Sequence, residues 1–203
     1  MATTAASPAT SNPFALDRYV VRRKVLALFA PQFHIYDEME RMVGYVKQKA
    51  FKLKEDIRLY TDESMTQELL LIKARSIIDF SAAYDVTDPQ TQQKVGALKR
   101  KGLKSIIRDE WLILDAADRE IGVLQEDSSA LALFRRLIDL GSLIPQSFTF
   151  SMDGQPIGEA KQNFNPFVRK LNVDMTRDPG RKLDRRLVAA AVVLLLAIEG
   201  RQG

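Results

Sequence analysis

Twelve consecutive residues near the C-terminus, LVAAAVVLLLAI from Leu187 to Ile198, carry neither a charge nor a hydroxyl. A helix with one side in water needs a polar face, so this segment has to be enclosed on every side, by lipid or by the rest of the chain. Length decides between the two. At about 1.5 Å per residue the run covers roughly 18 Å, well short of a hydrocarbon core of about 30 Å. Asp184, Arg185 and Arg186 close one end, and Glu199 and Arg201 close the other. The alanines Ala189, Ala190 and Ala191 make the helix thin enough for a sheet to approach it. The expectation is a central helix over 183–199, buried inside something large enough to surround it and not spanning a membrane.

A repeated unit supplies the surroundings. YDEMERMVGYVKQ from Tyr36, YDVTDPQTQQKVGALKR from Tyr84, LDAADREIGVLQE from Leu114 and FSMDGQPIGEAKQ from Phe150 share one pattern. Each opens on an aromatic residue or leucine, passes a polar stretch containing aspartate, and then reads apolar, Gly, any, apolar. The pattern describes a β-hairpin in which an Asp-rich turn reverses the chain and the second strand begins at the apolar-Gly pair. A glycine early in a return strand marks a bulge or a bend. Gly44, Gly96, Gly122 and Gly158 are therefore expected at equivalent bends of a strongly curved sheet.

Between these hairpins the period is mostly two, as in Phe51 to Tyr60 and Ile78 to Val86, which reads as strands with one side buried. With QELLLIK from Gln67, WLIL from Trp111 and VRKLNV from Val168, about twelve strands are expected. SSALALFRRLIDLG, closing at Gly141, reads as one amphipathic helix. The fold expected from the residues is mainly β, a closed antiparallel β-barrel of about twelve strands around the buried C-terminal helix. It is assigned to residues 16–203, behind a disordered N-terminal tail at 1–15 that is too poor in large apolar groups to fold.

Composition narrows the function. The chain of 203 residues has no cysteine, which excludes disulfides, thiolate catalysis and cysteine-bound zinc, and its one histidine is His34. No secretory signal opens it, so cytoplasmic residence is expected, at most peripheral to a membrane. P-loop, dinucleotide-binding and nucleophile-elbow motifs are missing. Adjacent carboxylates such as Asp109-Glu110 point to opposite faces of a strand and do not converge on one atom. No enzyme activity, cofactor or metal is expected.

The phrases FKLKEDIRLYTDE and VGALKRKGLKSIIRDEWLILD, the repeated hairpins and the apolar helix after NVDMTRD resemble the LURP-one-related and phospholipid scramblase group of the tubby C-terminal-like superfamily. The resemblance runs from about Tyr19 to Gly200. It implies a twelve-stranded barrel around a hydrophobic C-terminal helix, the architecture already reached from the residues. It also implies phosphoinositide binding through a basic outer surface, as in tubby domains. Scramblases of the group are calcium-dependent lipid-moving proteins, whereas LURP-one-related members mostly lack an assigned activity. The palmitoylated cysteine cluster and the Pro-rich N-terminal region of animal scramblases are absent here. Calcium finds little support: DAADRE from Asp115 lacks the third-position ligand and the sixth-position glycine of an EF-hand loop. Asp174 and Asp178, where scramblases are thought to hold calcium, are only two carboxylates, beside Arg177 and Arg181.

The sharpest charge feature is KVGALKRKGLKSIIR, in which Lys94, Lys99, Arg100, Lys101, Lys104 and Arg108 stand with no acid between them. One reading is a lipid-binding surface for anionic phospholipid or phosphoinositide headgroups. The plainer reading is a solvated hairpin face paired with acids elsewhere. Scramblase-like lipid transfer, an undetected enzyme and a nucleic-acid-binding regulator remain as alternatives, with nucleic acid the least favoured partner.

Overall fold

The computed structural model describes residues 12–24, 32–47, 56–76, 82–101, 110–127, 146–163 and 169–199. Strands β1 (Arg18–Lys24), β2 (Gln32–Tyr36), β3 (Met42–Lys47), β4 (Ile57–Tyr60), β5 (Glu68–Ser76) and β6 (Ala83–Thr87) form the first half. Strands β7 (Lys94–Arg100), β8 (Glu110–Leu114), β9 (Glu120–Glu126), β10 (Ser147–Met152), β11 (Gln155–Gln162) and β12 (Arg169–Asp174) form the second, and helix α1 (Arg185–Glu199) follows. Every strand pairs antiparallel with its neighbours in sequence, and β12 pairs with β1, closing the barrel without a free edge. The expected mainly β class, the twelve strands and the C-terminal helix are what the chain forms.

α1 runs inside the barrel. All residues from Leu187 to Ala197 are at 4% exposure or less, so the apolar run has its enclosure in the sheet. Facing it are inward side chains from every part of the wall, among them Phe33, Tyr84, Trp111, Phe148 and Phe150. The alternation that builds this wall is plain in β6, where Tyr84 and Val86 are buried between less buried neighbours. α1 begins two residues later than the expected 183. Asp184 takes the Arg186 N–H at 2.9 Å as its cap, which leaves Leu183 buried but outside the helix.

In the β2–β3, β6–β7, β8–β9 and β10–β11 hairpins the register slips by one residue at the same place. The unpaired residue is Val43, Val95, Ile121 or Ile157, and the next residue is the glycine of the repeat. The apolar-Gly pair is thus a β-bulge whose extra residue packs on the core. Close approach explains three of the four glycines: a Cβ on Gly122 would stand 2.8 Å from the Ser151 carbonyl oxygen, one on Gly158 2.9 Å from that of Asp174, and one on Gly96 would collide with that of Leu114. A fifth bulge, at Leu69 in β4–β5, has Leu70 in the glycine position.

Up-and-down topology sends successive connections to alternate ends. The five hairpin turns, the entry to β1 and the β12–α1 crossover share the turn end; the exits of β1, β3, β5, β7, β9 and β11 share the opposite rim. Asn12 caps a 3-10 turn at Pro13–Ala15, with Pro13 buried and Phe14 and Leu16 on the core. Residues 12–15 therefore belong to the folded unit, a correction to the expected tail of 1–15, because Pro13 and Phe14 supply the apolar area that the preceding residues lack. Residues 1–11, the expected helix at Ser128 to Gly141 and the first halves of two expected strands lie outside the described residues.

Candidate functional site

The basic run does not form one patch. Lys94 opens β7 at the turn end, while Lys99, Arg100 and Lys101 lie where β7 reaches the opposite rim, roughly 20 Å away at about 3.3 Å per residue. Lys94 Nζ is 2.6 Å from Asp118 and 3.4 Å from Asp85, in a network that also holds Arg75. Hydrogen bonds from Arg75 and Lys94 pull the Asp118 carboxyl down to about 2. Lys101 pairs with Glu110. Arg100 is half-buried on the side of β7 that carries Leu98. Lys99 is exposed and makes no ion pair with any described residue. Lys104 and Arg108 lie outside the described residues.

At the turn end the chain builds a second cluster. Arg185 donates Nε and Nη2 to Asp17 Oδ1 at 3.0 and 2.9 Å, Nη1 to Asp178 Oδ2 at 2.8 Å, and further bonds to the carbonyls of Leu183, Met175 and Asp178. All of its donors are used, as a buried guanidinium requires. Burial pushes the Asp178 carboxyl up, but Arg185 and the backbone N–H groups of Lys182 and Leu183 outweigh it and hold it below the ordinary carboxylate range. Next to this cluster a cleft of about 600 Å³ opens between Phe14, Leu69, Asp88, Lys182, Leu183 and Arg186. Arg186 is already held by Asp184 at 2.6 Å and by Asp88 at 3.2 Å. That leaves the cleft a mixed lining with no converging nucleophile and base.

His34 lies on the outer wall of β2, nearly buried, with Nε2 2.6 Å from Glu63 Oε1 and its ring against Tyr36 and Tyr45. Its partners are a hairpin carboxylate and two rings, a packing role. Among the described residues no group of three or more histidines and acids is placed to hold a metal ion, and no helix is long and apolar enough to cross a membrane.

A model of the LURP-one-related family matches residues 42–196. The chain belongs to the LURP-one-related family. Among solved structures, an X-ray structure of an Arabidopsis thaliana protein shares this LURP-one-related fold with a TM-score of 0.51 at 12% identity, covering 95% of this chain and 99% of that one. No curated protein sequence matches. The match spans all but the first two strands of the barrel and most of α1, so it includes the basic run of this LURP-one-related chain and the segment that carries Asp178 and Arg185. In the sequence Asp178 stands out only as one of two carboxylates beside Arg177 and Arg181. The signal that marks it as buried is Pro179-Gly180 behind it, a tight reversal that folds its carboxylate back on Arg185.

Proposed function

We propose that this LURP-one-related barrel is a non-catalytic module that meets anionic phospholipid, phosphoinositides included, at a membrane surface. The observation that carries the reading is Lys99, an exposed lysine without an ion pair among the described residues, at the rim where Lys47 closes β3 in the same state. Unpaired lysines near an anionic surface contribute about 1 kcal/mol each, enough for reversible recruitment when several act together. The ion-paired wall and the fully used Arg185 favour a rigid binding body over a catalyst, since neither presents a free acid or base next to a nucleophile. The test is co-sedimentation with vesicles of phosphatidylcholine alone and of phosphatidylcholine with phosphatidylserine or a phosphoinositide, at low and physiological salt. Binding to the anionic vesicles that weakens with salt supports the reading. Equal binding to all vesicles, or none, overturns it.

A further inference from the structure

The barrel has two unlike ends. At the turn end each hairpin or crossover holds an aspartate at or near its start: Asp37, Asp62, Asp88, Asp115, Asp153 and Asp178. Several of these are locked to backbone amides, as Asp37 is to Met39 and Arg41, and Asp115 to Ala117 and Arg119. The turns 37–41, 61–67, 88–93, 115–119 and 153–154 and the crossover 175–184 hold eleven acids against five bases. At the opposite rim the strand ends reverse the sign. Arg23, Lys47, Lys99, Arg100, Lys101 and Lys170 stand there, against the acids Asp56, Glu110, Glu126 and Asp127, and Lys47, like Lys99, is exposed with no ion pair to a described residue. The chain that joins these strand ends lies outside the described residues.

We propose that the barrel docks end-on, presenting the rim of Lys47 and Lys99 to the charged face of a bilayer and holding the Asp-lined turns toward water. The inference rests on the anionic-lipid reading and adds the face and the orientation. Charge complementarity selects them. The rim meets lipid phosphates with cations, and the acidic end is repelled by the same surface, so side-on and inverted encounters are disfavoured together. The rival face is the turn end, where Met39 at 74% exposure and Met65 at 38% are the exposed large apolar residues among those described. Glu38 and Glu40 flank Met39, and Asp62 and Glu63 precede Met65, which sets that face against an anionic surface.

The absence of cysteine makes the test direct. Single variants Met39→Cys, Lys47→Cys and Lys99→Cys carry a polarity-sensitive dye and are mixed with saturating phosphatidylserine–phosphatidylcholine vesicles, or with soluble inositol phosphate. End-on docking predicts that the dyes at positions 47 and 99 shift to shorter wavelength and become shielded from acrylamide on vesicles only, while the dye at position 39 does not change. A shift at position 39, or at one rim position without the other, overturns the orientation although the protein binds. An equal response to soluble inositol phosphate overturns the bilayer as the partner. Failure of the unlabelled wild-type protein to sediment with anionic vesicles overturns the lipid reading itself, and the inference with it.

Discussion

Arg185 Nη1 donates to Asp178 Oδ2 across 2.8 Å, and both side chains are only 3% exposed. The pair joins the crossover that follows β12 to the first residue of α1, and Asp17 ties it to the entry of β1. Removing Asp178 leaves the buried Arg185 with Asp17 as its remaining acid partner and takes the acceptor from Nη1 and from the backbone N–H groups of Lys182 and Leu183. Asp178→Ala is expected to cost about 1–3 kcal/mol, read from urea or guanidinium unfolding, with the barrel still formed at low denaturant. A loss below about 1 kcal/mol would show that the mouth of the barrel admits water.

The helix makes a harsher prediction. Val193 is 1% exposed in the middle of α1, and Val193→Arg buries a cation with no acid near it, at a cost of several kcal/mol. The variant is expected to be recovered unfolded or aggregated, while Lys99→Glu, made in parallel, is soluble and folded by circular dichroism. A folded Val193→Arg protein would contradict the enclosed helix.

Two glycines separate close approach from flexibility. Gly96→Ala drives a methyl group into the Leu114 carbonyl and onto Leu187, and is expected to lower stability by about 1–3 kcal/mol, as overpacking does. At Gly180 nothing lies within 4 Å of the new Cβ, and Gly180→Ala should change stability by less than about 0.5 kcal/mol. Comparable midpoints for the two variants would remove the bulge argument.

The pH dependence has a definite sign. Hydrogen bonds from the Arg119 backbone and side chain hold Asp115 below the ordinary carboxylate range, and Arg75 and Lys94 hold Asp118 at about 2 against 3.8 for the free group. Folded-state values below the unfolded ones mean that these groups contribute stability above about pH 5 and lose it as pH falls toward 2. Thermal midpoints are expected to be level near neutrality and to fall steadily below about pH 4. A midpoint that rises on acidification would contradict the paired carboxylates.

Much of the barrel is written in local patterns, and the places where those patterns are silent share a cause. The bulges at Val95, Ile121 and Ile157 announce themselves because a neighbouring backbone carbonyl leaves no room for a Cβ on the next residue, while Gly44 after Val43 meets only the Ile35 and Leu59 methyl groups at 3.2 Å. The β4–β5 hairpin makes the same bulge with Leu70 in the glycine position, so it has no residue signature and drops out of the repeat. The bond between Arg185 and Asp17 spans 168 positions, and nothing near either residue points to the other. The basic run reads as a unit in sequence because the count from Lys94 to Lys101 is short. An extended strand turns that count into the height of the barrel wall, leaving Lys94 among turn-end acids and Lys99 on the other rim.

Recognition of lipid by the rim lysines is the central claim. The direct measurement is the affinity for phosphatidylserine-containing vesicles of the wild-type protein and of the Lys47→Gln/Lys99→Gln double variant, by titration at one fixed low salt. Neither lysine has an ion pair with a described residue, so the substitution should leave the thermal midpoint unchanged. At about 1 kcal/mol for each lysine, the double variant should lose about 2 kcal/mol, roughly thirtyfold in affinity. Equal affinity for the two proteins, or no measurable wild-type binding, would contradict it.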